Sequence, residues 1–104
     1  MDYTLQTGIK QINAIKPQKT QLLCERILQG MIESKLCNQI FTEAEMTQLC
    51  TIFNASNAEL LLVIDSIIYI YRQCALVRIP KKILAFFQEI GLDEAHVILF
   101  NTVQ

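Results

Sequence analysis

Leu60-Leu-Leu-Val-Ile-Asp-Ser-Ile-Ile-Tyr-Ile-Tyr71 is a nearly continuous apolar run, and its reading decides the fold. About a dozen residues with Asp65 among them fall well short of the ~20 needed to cross a bilayer, so a buried core helix is expected. On a wheel at about 100° per residue, a helix over residues 58–78 places Leu60, Leu61, Val63, Ile64, Ile67, Ile68, Ile70, Tyr71, Cys74 and Ala75 on one half. Glu59, Asp65, Ser66, Arg72 and Gln73 fall on the other half, together with Leu62, Tyr69 and Leu76. An apolar arc this wide faces several neighbours at once. The segment is the spine of an all-α bundle.

Working outward from it, punctuation residues divide the chain. Toward the N-terminus, Asn54-Ala-Ser-Asn57 breaks a preceding helix that carries Met46, Leu49, Cys50 and Phe53. That helix opens on Thr42-Glu-Ala-Glu45, a capping box, with Phe41 and Met46 as its hydrophobic staple. Further back, Leu5, Ile9, Ile12 and Ile15 recur at helical spacing until Lys16-Pro17, and Pro17 suits a first helical position. The helix it opens carries a row of Leu23, Ile27 and Met31 beside a parallel row of Leu28 and Ile32, with Gly30 inside it at a cost of about 1 kcal/mol relative to alanine. On the C-terminal side, Pro80 to Ile90 forms a helix with Ile83, Leu84, Phe87 and Ile90 inward. Gly91 stands where a left-handed C′ residue belongs, and Asp93 caps a last helix with Leu92 and Val97 as staple. The expectation is a single helical domain over residues 1–104, a compact bundle of five or six helices.

Composition agrees and excludes other classes. Of 104 residues, 52% are apolar and 18% charged, which rules out disorder. Nine basic against ten acidic residues give a net charge of −1, and no basic stripe with interleaved aromatics exists, so nucleic acid has no footprint. Neither a basic n-region nor an apolar h-region follows Met1-Asp2-Tyr3, and a cytoplasmic location is expected.

Reactive chemistry has little support. Cys24, Cys37, Cys50 and Cys74 lie too far apart for a zinc knuckle, and His96 is the only histidine. Free thiols on helices, with no metal and no cofactor, are expected; a small metal- or redox-responsive thiol protein is the alternative. No nucleophile elbow, Walker loop or zinc-protease motif occurs, so no catalytic residue is assigned. His96 reads as a solvated or half-buried surface residue, and Glu43 and Glu45 are explained by capping and the helix dipole. What is left over is a surface. Leu62, Tyr69 and Leu76 line up at i, i+7 and i+14 on the polar side of the spine, and Lys81-Lys82 occupies a first helical turn that the dipole disfavours. These five residues are the candidate partner surface, weighed against a strip covered by another helix and a merely solvated basic pair.

Taken in order, Ile12-Asn-Ala-Ile15, Arg26-Ile-Leu-Gln29, Phe41-Thr-Glu-Ala-Glu45 with Leu49 and Phe53, Leu60-x-Leu-Val-x-x-x-Ile67 with Ile70 and Gln73, and Pro80 resemble the N-terminal helical domain of the COMM domain-containing proteins. The resemblance implies an all-α bundle, no enzymatic activity and no ligand motif. It also implies a subunit of the Commander assembly, which recycles membrane cargo from endosomes with coiled-coil adaptor proteins and a retriever-type subcomplex. Such a protein is cytoplasmic and peripheral to endosomes, with room for a nuclear pool. Family members pair with one another through a C-terminal COMM domain. That domain is expected to be missing from these residues, which fits the absence of tryptophan. The helical part alone is then expected to be monomeric and to bind no other COMM protein. Links of other members to copper homeostasis and NF-κB regulation do not transfer residue by residue.

Overall fold

The computed structural model describes residues 3–33, 40–77 and 80–103, and within them the chain forms six α-helices and no strand. These are α1 (Tyr3–Asn13), α2 (Pro17–Ile32), α3 (Glu43–Phe53), α4 (Asn57–Val77), α5 (Pro80–Glu89) and α6 (Glu94–Val103). The apolar arc on α4 is the core: Leu60, Val63, Ile64, Ile67, Ile68, Ile70, Tyr71 and Cys74 are all buried. Removing each large side chain from water stabilises the fold by about 1.5–3 kcal/mol, so this helix alone anchors the domain. α1 makes the broadest contact with α4, while α2, α3 and α5 cover its remaining sides and α6 packs on α2 and α5. A ladder of aromatic rings, Tyr69–Phe86–Phe87–Phe100–Tyr71, with centroids 5.9–6.2 Å apart, threads the α4–α5–α6 end.

Local chemistry sets the boundaries. Pro17 opens α2 after an extended Lys16. The capping box at α3 is complete: the Thr42 hydroxyl accepts from the Glu45 amide at 3.1 Å, and the Glu45 carboxylate accepts from the Thr42 amide at 3.0 Å. Asn54, left-handed at φ 52°, ends α3. A second reciprocal box follows at once, with Ser56 accepting from the Glu59 amide and Glu59 from the Ser56 amide. At the junction, the Asn54 and Ala55 amides donate to the Thr51 and Cys50 carbonyls and the Ser56 box opens the next helix, so α3 and α4 meet at 96° with both helix ends capped. Gly91 has φ +90° as the C′ residue of α5, and Asp93 caps α6 by accepting from the His96 amide at 2.9 Å.

Several expectations need correction. α1 ends at Asn13 rather than at Lys16, leaving Ile15 half-buried in the turn, and α5 ends one residue before Ile90. The second row of α2 does not hold: Leu28 is half-buried and Ile32 exposed. Leu84, expected inside α5, is exposed. On α4, Leu61 is half-buried and Ala75 exposed although both lie on the apolar arc, and Ser66 is buried although it lies on the polar half. The cause at Ser66 is α1. Gly8 lets the α1 backbone come so close that a Cβ there would overlap the Ser66 hydroxyl, which donates to the Leu62 carbonyl at 2.8 Å. Gly30 does the same for α2, since a Cβ there would stand 2.7 Å from Ile40 Cγ1. Its helix cost is offset by close packing.

Candidate functional site

The five residues of the predicted surface separate on the structure. Leu76 is 76% exposed and Tyr69 40% exposed, with Lys81 and Lys82 also exposed. Leu62 is half-buried, because its turn of α4 lies beneath Gly8 of α1, and it drops to the margin of the strip. Tyr69 stacks on Phe86 of α5 with centroids 6.2 Å apart. Two residues link α4 to α5, so this pair sets the helices running back along one another. Lys82 lies one turn nearer the link than Phe86 on α5, and Arg72 and Leu76 lie about one and two turns nearer it than Tyr69 on α4. Sequence reasoning missed Arg72 and Phe86 as parts of this face; both sit one turn from strip residues, Arg72 between Tyr69 and Leu76.

The polar groups inside the domain have other duties. Thr20 Oγ1 lies 3.1 Å from His96 Nε2, and His96 Nδ1 lies 2.8 Å from Asp93 Oδ1. A hydroxyl, an imidazole and a carboxylate in that order would suit a nucleophile and its base. Here Thr20 and His96 are sealed from solvent, 0% and 1% exposed, so no substrate reaches them and the network pins α2 to α6. The expectation of a surface His96 is overturned: its position three residues past the Asp93 cap turns the ring inward. Partial burial pushes the Asp93 carboxyl up, but the His96 amide, ring N–H and charge together outweigh it and hold the group below its ordinary value of 3.8.

Two further clamps join distant segments. The Asn13 amide donates to the Gly91 carbonyl and its oxygen accepts from the Asp93 amide, both at 2.9 Å, tying α1 to the α5–α6 turn. Arg26 pairs with Glu45 at 3.3 Å, donates to the Ile40 carbonyl at 3.4 Å and lies over the Phe41 ring.

Cys24, Cys50 and Cys74 are in no disulfide, and Cys37 lies outside the described residues. Burial pushes the Cys24 thiol up to about 12 against an opposing pull from the Tyr71 hydroxyl beside it, and burial raises Cys74 as well. Both are disfavoured as thiolates, the form that reacts or binds metal. Among the described residues no three His, Cys, Asp or Glu side chains gather to hold a metal, and no single helix is long and apolar enough to cross a membrane. A cleft of about 190 Å³ between α1, α3 and α4 is lined by Gln11, Ile15, Phe53, Leu60 and Val63, among others.

A family model described as COMMD2-7/10, HN domain, matches residues 1–103. The chain belongs to the COMM domain-containing family. Neither a curated protein nor a solved structure matches it. In this HN domain, three of the stretches that carry the resemblance hold interhelical clamps: Asn13 ties α1 to the α5–α6 turn, and Arg26 pairs with Glu45 and lies over Phe41. The COMM domain family is a protein-interaction family, and the exposed face of α4 and α5 is a surface available for such contacts.

Proposed function

We propose that this HN domain is a non-enzymatic helical subunit domain of the Commander assembly, acting by protein–protein contacts in the endosomal recycling of membrane cargo. The observation that carries the reading is the family match over residues 1–103. Within the family the chain is most like COMM domain-containing protein 10. The burial of Thr20 and His96 adds support, since it turns those polar groups to holding α2 against α6 and leaves the surface for contacts. The protein works in the cytoplasm, peripheral to endosomes. Its partners are other COMM proteins, paired through a C-terminal COMM domain, and the coiled-coil adaptor subunits, which take secondary contacts from the HN domain. Weak contacts of that kind gain effect once another domain fixes the geometry.

Affinity capture from cells tests this reading. The full-length protein should bring down other COMM proteins and the coiled-coil adaptors, while residues 1–104 alone bring down far less and scatter light as a monomer. Full-length protein that captures neither class refutes it.

A further inference from the structure

We propose that the open face of the α4–α5 hairpin docks an amphipathic partner helix whose apolar row is flanked by carboxylates. This rests on the interaction role proposed above and adds the partner's chemistry. Tyr69 and Leu76 are exposed two turns apart on one line of α4, a spacing of about 10 Å that an i, i+7 row on a second helix matches. Phe86 braces the Tyr69 ring, so the anchor is already ordered before anything binds.

Charge selects the occupant. Arg72 stands between Tyr69 and Leu76, and Lys82 lies one turn before Phe86 on the same side of α5, with Lys81 beside it. All three cations are exposed, and none pairs with a carboxylate among the described residues. The other end of the face is acidic: Asp65 is one turn before Tyr69, and Glu89 about one turn past Phe86, both exposed. The face thus has a cationic end at the α4–α5 link and an anionic end away from it. A helix with its carboxylates over Arg72 and Lys82 fits in one direction only. An anionic membrane fits poorly, because Asp65 and Glu89 share the face and the whole chain carries −1.

The test titrates the isotope-labelled chain with synthetic helical peptides that share one apolar row, flanked by glutamates, glutamines or lysines. Vesicles of phosphatidylcholine with and without phosphatidylserine form a further arm. The glutamate peptide should shift the amide signals of Tyr69, Leu76 and Lys82 and bind roughly tenfold tighter than the glutamine peptide, as about three surface ion pairs allow. That advantage should shrink with added salt. Arg72→Glu with Lys82→Glu should transfer the preference to the lysine peptide without lowering the melting temperature. Equal binding of all peptides, no binding, shifts confined to another face, or binding to the anionic vesicles alone each overturn the proposal. Capture of Commander subunits by the full-length protein while the peptides fail leaves the proposed function standing and sinks only this inference; the reverse result does the opposite.

Discussion

Replacing Gly8 by alanine pits two effects against each other. Glycine inside a helix costs about 1 kcal/mol relative to alanine, so propensity alone predicts a more stable protein. Packing predicts the opposite. The new Cβ would overlap the Ser66 hydroxyl and stand 3.0 Å from Ser66 Cβ and 3.2 Å from the Leu62 carbonyl oxygen. The hydroxyl cannot turn away without giving up its bond to that carbonyl. The other two atoms are fixed by the α4 backbone, so α1 itself must lift. Overpacking of this kind costs about 1–3 kcal/mol, and lifting α1 loosens Leu5, Ile9 and Ile12 as well. After the propensity gain, a net loss of about 1–2 kcal/mol remains, a fall of roughly 5–15 °C in melting temperature for a domain of this size. Thermal and urea unfolding followed by circular dichroism would measure it, in Gly8→Ala, Ser66→Gly and the double variant. The double variant should be no less stable than Ser66→Gly alone, because removing the serine side chain makes room. Gly8→Ala melting at or above the parent would refute the close approach of α1 and α4.

Four other measurements probe other parts of the domain. Asn13→Ala should cost about 2 kcal/mol, one for each hydrogen bond to the α5–α6 turn, and denaturant unfolding would read it. The depressed Asp93 carboxyl contributes stability that is fully present above pH 3.8, its ordinary value, and is lost as pH falls through the lower folded value; Asp93→Asn should flatten that limb in acid titrations. With a thiol-alkylating reagent followed by mass spectrometry, half-buried Cys50 should be modified in the native protein, whereas Cys24 and Cys74 should wait for unfolding. Lys81→Glu with Lys82→Glu should raise stability by about 1 kcal/mol, since acids replace bases in the first turn of α5, and a lower melting temperature would count against that assignment.

Helix number, order and caps were legible in the sequence because each depends on neighbours within four residues. Thr42 with Glu45, Pro17, Gly91 and Asp93 each carry their signal locally. The wheel on α4 also found the buried arc, since a core stripe is a property of one helix. It failed at Leu61 and Ala75, and at Ser66, where the close approach of the adjoining helix decides burial. Gly8 is the cause at Ser66, and nothing in the α4 sequence contains it. The same limit hid His96. Its partner Thr20 is 76 residues away, and a threonine in the first turn of α2 gives no sign that it will meet an imidazole. Ser56 with Glu59 was the avoidable miss, because it repeats the pattern read at Thr42.

The candidate surface stands out by what its charges do not do inside the molecule. Lys19 donates to the Ile52 carbonyl at the end of α3, and Arg26 serves Glu45, Ile40 and Phe41 together. Those cations hold helices to one another. Lys81 and Lys82 hold nothing among the described residues, and they stand in the first turn of α5, where the helix dipole repels positive charge. Each costs the helix about 0.3–1 kcal/mol there, with no internal carboxylate to offset it. Two lysines at such positions contribute nothing to folding that glutamates would not do better. Beside them lie an exposed leucine and a braced tyrosine, also of little use to the core. A face that is locally unfavourable in both charge and hydrophobicity is the one whose residues are best explained by a partner, and the same two lysines that weaken α5 are the ones that would choose an acidic one.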